Sequence, residues 1–214
     1  MAKIELNAVS KVIKGQTVLE DIHLSLQQGN IIGFVGHNGS GKTMLFRVIA
    51  GLVKPTKGEV KISDQILHKD ISFPNSISVL LEKPGFLEQY SGFDNLKFLA
   101  EIQNRIDDHQ IKQVIESVGL DPNDKRGVKT YSLGMKQKLA IAQAIMEKPD
   151  IILLDEPMNG LDEDAVKNVY QLIREEHKRG ATILLTSHHK EDIEELCHIV
   201  YKMNSGKVHP IDNE

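Results

Sequence analysis

Gly36-His37-Asn38-Gly39-Ser40-Gly41-Lys42-Thr43 spells a G-x-x-x-x-G-K-T loop, a pattern that lets bare backbone fold around a polyanion. The glycines at 36, 39 and 41 carry no Cβ, so successive N–H groups can turn inward. Lys42 is spaced to reach the β- and γ-phosphates of a nucleoside triphosphate, and the Thr43 hydroxyl to ligate Mg²⁺. The flanks agree with that reading. Ile31-Ile32-Gly33-Phe34-Val35 reads as a buried strand entering the loop, and Leu45, Phe46, Ile49 and Leu52 recur at helical spacing after it. Bound phosphates would then sit on a helix N-terminus.

Working outward, the first thirty residues alternate as strands (Ile4, Leu6; Val18, Leu19; Ile22, Leu24, Leu26) with a break at Lys14-Gly15-Gln16. Short strands follow around Gly58–Ile62 and Ile66-Leu67, too short for parallel β-α-β units, so an antiparallel sheet is expected at the edge of the nucleotide core. Ile77-Ser78-Val79-Leu80-Leu81 is a further strand candidate. The pattern is helical from about Asn95 to Ser117, and again from Ser132 until Pro149. After it come a strand at Ile151–Leu154, a helix at Asp164–Lys178, a strand at Ala181–Thr186, a helix at Lys190–Cys197 and a hairpin turning at Asn204-Ser205-Gly206. Strand and helix alternating on both sides of a helical block predict an α/β core with an inserted helical subdomain.

The chain has 214 residues, enough for one domain with a subdomain, and a formal charge of −4. No basic tail or stripe is present, so nucleic acid is not an expected partner. A single cysteine, Cys197, excludes an intramolecular disulfide and fits a reducing cytoplasm. Met1 to Glu5 leads straight into an alternating strand pattern rather than a secretory leader. No apolar run approaches the ~20 residues of a membrane span, so any membrane role is expected to come through another chain.

Ile151-Ile152-Leu153-Leu154-Asp155-Glu156 is an aliphatic run ending in two acids. Burial on both faces of a sheet explains the run. It does not explain the carboxylates, which must be solvated, paired or metal-bound. In a nucleotide site the first acid suits the Mg²⁺ shell and the second can accept a proton from attacking water.

Tyr131-Ser132-Leu133-Gly134-Met135-Lys136-Gln137 resembles the signature motif of ATP-binding-cassette (ABC) ATPases, and the resemblance extends over essentially the whole chain. It implies a P-loop NTPase (RecA-like) core with an antiparallel β edge, about 1–83 and 149–214, and an inserted helical subdomain, about 84–148. It implies an ATP hydrolase in which Ser132 and Gly134 meet the γ-phosphate held by a second subunit in a head-to-tail dimer. Ser132 is itself a plausible N-cap, and its helix dipole would favour an anion. Asn159-Gly160-Leu161-Asp162 resembles the D-loop that crosses the dimer interface, which brings in Asp162. Thr186-Ser187-His188 resembles the switch segment whose histidine senses γ-phosphate; His189 is adjacent, and His188 is preferred because it follows Thr-Ser.

The resemblance implies Glu156 as general base, with His188 beside it, and Thr43, Asp155 and Glu82 around Mg²⁺. Glu82 stands where the family has a glutamine; it keeps an oxygen ligand and adds one negative charge near the phosphates. Ile13 stands where the family stacks adenine on an aromatic ring, which forfeits on the order of 1 kcal/mol of stacking. The Glu82 variant, the short chain and the form of the signature resemble cassettes of exporters and self-immunity transporters for lantibiotics and bacitracin-like peptides, and related multidrug and polysaccharide exporters of the ABC-2 type share parts of this pattern. Such a subunit would work with a separate multi-span membrane permease and a second copy of itself, at the cytoplasmic face of the cell membrane. The permease is expected to dock near Glu82 to Asn95, where Phe86, Leu87, Tyr90 and Phe93 are either an exposed docking surface or packing beneath the helical subdomain. Two other classes compete. Soluble cassettes acting on ribosomes or DNA usually carry two cassettes or a long coiled-coil insertion, and neither is seen here. A nucleotide-gated subunit with little hydrolysis is motivated by Ile13 and Glu82, and opposed by the intact Lys42, Asp155, Glu156 and His188.

Overall fold

The computed structural model describes residues 3–81 and 85–211. Glu82, expected near Mg²⁺, lies outside the described residues. The strands are β1 (Ile4–Ile13), β2 (Gln16–Leu26), β3 (Ile31–Val35), β4 (Lys57–Ile62), β5 (Gln65–Ile66), β6 (Ile77–Leu80), β7 (Ile151–Asp155), β8 (Thr182–Thr186), β9 (Ile199–Asn204) and β10 (Lys207–Ile211). The helices are α1 (Lys42–Ile49), α2 (Gly92–Gln103), α3 (Asp108–Ser117), α4 (Leu133–Ile145), α5 (Glu163–Lys178) and α6 (Lys190–Leu196).

The strands form two sheets. One is four-stranded and ordered β2-β1-β4-β5, with antiparallel pairings throughout; the other is six-stranded and ordered β10-β9-β3-β8-β7-β6. In the larger sheet β9, β3, β8, β7 and β6 run parallel, and only β10 turns back. This is the α/β architecture with an antiparallel edge that the pattern predicts.

The aliphatic strands are explained by burial on both faces of this sheet. Ile152 and Leu154 of β7 pack with the helical side, among Leu139, Ile141 and Ile173. Ile151 and Leu153 face the other way, into a core closed by α1 and the antiparallel sheet, with Phe34, Phe46 and Ile4. Both faces are dry, so both alternating registers of the strand are apolar.

One helical stretch divides differently from its pattern. The segment from Asn95 to Ser117 is two helices. Asn104 ends α2 in the left-handed region (φ 51), and Asp107 opens α3 with a capping box: its side chain accepts from Gln110 N while the Gln110 side chain accepts from Asp107 N. These short polar side chains satisfy helix ends that apolar periodicity cannot register.

The parallel register brings the chemistry together. Phe34 of β3 and Asp155 of β7 both pair with Thr186 of β8, so the loops leaving these three adjacent strands emerge at one carboxyl edge. That edge is where open α/β sheets bind ligands.

Candidate active site

The phosphate loop runs from β3 into α1. Gly41 caps α1 at φ 108 with no side-chain cap, and the first turn holds no acid, so the helix N-terminus is left to an anion. The loop is packed too tightly for side chains at two of its glycines. A Cβ on Gly36 would lie 2.3 Å from the Met203 carbonyl oxygen, and one on Gly41 would lie 2.9 Å from that of Val18. Lys42 is buried, and its Nζ donates to the carbonyls of Gly36 (2.6 Å) and His37 (3.3 Å), holding the amine across the loop. Ser40 Oγ is buried and has no hydrogen-bond partner among the described residues.

Across the sheet edge, Asp155 accepts two hydroxyl protons, from Thr43 (2.5 Å) on one oxygen and from Thr186 (2.6 Å) on the other. The Thr186 hydroxyl in turn accepts from the Glu156 backbone N–H at 2.9 Å. Glu156 adopts the left-handed region (φ 54), a conformation uncommon for a residue with a side chain. Its carboxylate faces His188. His188 N donates to Oε2 (3.3 Å), and His188 Nε2 lies 3.1 Å from Oε1. That second contact has the distance of an ion pair but not hydrogen-bond alignment, so Oε1 is buried without a hydrogen-bond partner among the described residues. Burial pushes the Glu156 carboxyl above the usual carboxylate range; the charge of Asp155 adds to this, while His188 and Lys42 oppose it.

A cleft of about 970 Å³ joins these groups, lined by Asn38, Gly39, Gly41, Lys42, Thr43, Asp155, Glu156, Asn159 and His188. Gly36, His37 and Ser40 belong to the loop but not to the cleft wall. The His37 ring is directed instead to the β9–β10 turn, with Nε2 3.3 Å from Asn204 Oδ1. Ile13, the residue expected under the base, stands outside the cleft wall. It sits at the end of β1 opposite Gln16 and is 37% exposed. The hairpin reverses at Lys14-Gly15, both at positive φ, and the wall is made by Val18 on the returning strand.

Ser132 caps α4, accepting from Met135 N at 3.2 Å. Neither Ser132 nor Gly134 lines the cleft of its own chain, whereas Leu133, Lys136 and Gln137 do, and Leu133 is 63% exposed. Close packing joins this helix start to the loop after β7. A Cβ on Gly160 would lie 2.8 Å from the Leu133 side chain, and one on Gly134 3.0 Å from the Gly160 carbonyl oxygen. Asp162 caps α5, accepting from Ala165 N at 2.9 Å. Gln137, which the sequence reading passed over, is buried and donates to the carbonyls of Pro157 (2.8 Å) and Glu156 (3.4 Å). The available signal was a lone amide between Met135 and Leu139 on an apolar stripe.

Three comparisons bear on this arrangement. The family model described as ABC transporter matches residues 19–159. The chain belongs to the ABC transporter family. Within that family it is a nucleotide-binding ATPase subunit. YybJ of Bacillus subtilis (strain 168), an uncharacterized ABC transporter ATP-binding protein, is 50% identical over 205 residues, which span 96% of this cassette and 94% of that protein. The bacitracin transport ATP-binding protein BcrA of Bacillus licheniformis is 36% identical over 207 residues, 96% of this cassette and 68% of BcrA. A solved ATP-binding subunit of an ABC transporter superposes with a TM-score of 0.88 at 24% identity, covering 98% of this cassette and 90% of that chain. At that identity the likeness speaks for the fold.

The donor set also fits the metal that accompanies ATP. Thr43 and Asp155 offer a hydroxyl and a carboxylate, and no group of three or more His, Cys, Asp or Glu side chains is gathered as a metal site among the described residues. A hard cation that keeps several waters and takes its other ligands from phosphates, as Mg²⁺ does, suits so sparse a set of oxygens.

Proposed function

We propose that this cassette hydrolyses MgATP in a head-to-tail dimer and thereby drives a separate membrane permease that exports peptide antibiotics of the bacitracin kind. The observation that carries the catalytic reading is the Glu156 carboxylate, half-enclosed, raised in proton affinity and facing His188 at the end of the cleft. A carboxylate so placed is a stronger base than one in water, and it can take the proton of a water attacking the γ-phosphate. The Glu156 N–H bond to Thr186 and the Gln137 bonds to the following carbonyls fix the backbone that carries it.

Lys42 and the N–H groups of Gly39 to Thr43 would hold the β- and γ-phosphates, and His188 would meet the γ-phosphate beside Glu156. Mg²⁺, held by Thr43 and Asp155, would neutralise charge on the phosphate oxygens. Ser132 and Gly134 fit a role toward a second copy, since they stand outside their own cleft while exposed Leu133 stands between them.

The core at about 1–83 and 149–214 and the helical part at about 84–148 would act as two bodies. No helix among the described residues is long and apolar enough to cross a membrane, so a permease would supply the spans and the cassette would sit at its cytoplasmic side. The expected docking aromatics divide. Phe86 and Phe93 pack against the helical core, whereas Leu87 and Tyr90 are exposed and continue into Phe98, Leu99 and Ile102 of α2, with Tyr90 and Phe98 edge to face at 5.0 Å. An apolar patch on that side suits a cytoplasmic helix of the permease. The likeness to BcrA supports the peptide-antibiotic cargo.

The test is Glu156→Gln. The amide keeps the shape and cannot accept a proton, so turnover should fall by at least about 100-fold. ATP binding should persist, and the chain should elute as an ATP-dependent dimer. Hydrolysis at the native rate would assign the base elsewhere.

A further inference from the structure

His188 and His189 are adjacent, and one peptide decides which imidazole reaches the γ-phosphate. His188 faces Glu156 and the nucleotide cleft. His189 is the residue preceding α6, and its side chain makes no cap to that helix. It lines a second cavity of about 1110 Å³ with Ile193 and Cys197; His188 borders both cavities, whereas His189 borders only this one of the two. Something must hold the peptide between the two rings, because both rings are chemically equal to the task.

The structure places that hold at Ser187. Its side chain is buried, its Oγ accepts from His189 N at 3.0 Å, and it donates to Asp192 Oδ2 at 2.5 Å. Asp192 is 4% exposed, in the first turn of α6, and its other oxygen accepts from the Tyr170 hydroxyl of α5. Among the described residues the hydrogen-bond donors to this carboxylate are hydroxyls alone, with the helix N-terminus adding a favourable field. A buried carboxylate is costly unless it is bonded, so both hydroxyls are held firmly to it.

Successive residues of the switch loop are thus tied in different directions. Thr186 binds Asp155 and the Glu156 N–H, Ser187 binds Asp192, and His188 meets the Glu156 carboxylate. Rotation of the loop to present His189 would break the Ser187 bonds first.

We propose that Asp192, with Ser187 and Tyr170, forms a positioning set that selects His188 over His189 to face the γ-phosphate. The proposal rests on the reading of His188 as the group that meets that phosphate. Asp192 touches no nucleotide in this scheme; it acts through the loop.

Steady-state ATPase measurements on the full chain test it, with Asp192→Asn, Ser187→Ala and Tyr170→Phe alongside His188→Ala. Asp192→Asn and Ser187→Ala should lower kcat roughly 10- to 100-fold, the usual effect of misplacing a reacting group by about an ångström. KM for ATP should stay within about threefold, because the phosphate loop is untouched. Tyr170→Phe leaves the Ser187–Asp192 bond intact and should fold even where Asp192→Asn does not; a severalfold fall in kcat is expected from it, roughly. Combined with His188→Ala, each should lower the residual rate no further. Histidine side-chain nitrogen NMR gives a readout free of turnover: the His188 signal, identified by its loss in His188→Ala, should shift in all three variants. Glu191→Gln, on the exposed side of the same helix, should keep native kcat and the native signal. If His188→Ala retains native kcat, the reading of His188 fails and this proposal with it. If His188→Ala is impaired while the three variants keep native kcat and an unmoved His188 signal, the positioning set alone is overturned.

Discussion

Thr186 shows how one hydroxyl can organise two acids. It is fully buried, donates to Asp155 and accepts from the Glu156 N–H, so it fixes the metal-side carboxylate and the backbone of the proposed base together. Thr186→Val keeps the shape and removes both bonds. The buried N–H and carboxylate oxygen left behind should cost about 1–3 kcal/mol. A shifted urea midpoint with unchanged slope would show it, and Thr186→Ser should restore most of the loss. An unshifted midpoint in the valine variant would mean that water replaces the hydroxyl and that the bridge contributes little. At this scale the sequence was informative where residue type is tied to chemistry, as in Lys42, Asp155 and Glu156. It marked Thr186 only as part of the switch segment, not as a bridge between the acids, because a threonine ending a strand is ordinary by composition. Its role comes only from the register that sets it between β3 and β7.

Among the elements, the strands were legible because burial on both faces leaves an unmistakable aliphatic run. The join of α2 and α3 was not, since Asn104 and Asp107 interrupt an apolar rhythm that continues on both sides of them. Side-chain contacts between elements were equally hidden. His177 of α5 and His198, just after α6, lie with ring centroids 4.6 Å apart at the lower end of the sheet. His198 Nδ1 accepts from Ile31 N at 3.1 Å and His177 Nε2 lies 2.9 Å from the Gly29 carbonyl, so the pair ties α5 and α6 to the start of β3. Burial, together with the charge of His177, pushes the His198 imidazole below its ordinary value. A folded pKa below the unfolded one means that the unfolded chain binds the proton more readily. This contribution to stability is therefore fully present above the unfolded value, about 6.5, and is lost as pH falls from there through the depressed folded value. His198→Asn offers Ile31 N an acceptor that does not titrate. Its thermal midpoint should fall less steeply than that of the native chain as pH drops below about 6.5. Equal slopes would place the acid sensitivity in other groups.

At the scale of the molecule, the nucleotide loop is held by chain from both ends of the sequence. The turn between β9 and β10 lies between the phosphate loop and β2. Gly206 N donates to Ser40 O at 3.0 Å, and Gly206 O accepts from Glu20 N at 2.9 Å. The turn itself was readable from Asn204-Ser205-Gly206, but its contact with the loop after β3 was not, because local turn chemistry carries no information about distant partners. The same bracing explains why Gly36 meets Met203 and why His37 turns toward Asn204 rather than the cleft. Gly206→Ala tests it. Gly206 has φ +80, and an added Cβ would lie 2.6 Å from the Val18 carbonyl oxygen, which is backbone and cannot swing aside. Val18 also forms the cleft wall and packs against Gly41, so relief of the clash must move the wall, the loop or both. Overpacking of this kind costs about 1–3 kcal/mol. If about half of that falls on the nucleotide-competent form, ATP affinity drops by roughly 2- to 12-fold. The expected result is a higher KM for ATP with kcat little changed, because Glu156 and His188 follow β7 and β8 rather than lying on the turn. Gly180→Ala, also at positive φ (+101) but with no atom within 4 Å of the added Cβ, separates the two causes. It should lose stability through backbone strain yet keep native affinity. Equal affinity losses in the two variants would show that general destabilisation, not the brace on the phosphate loop, governs ATP binding.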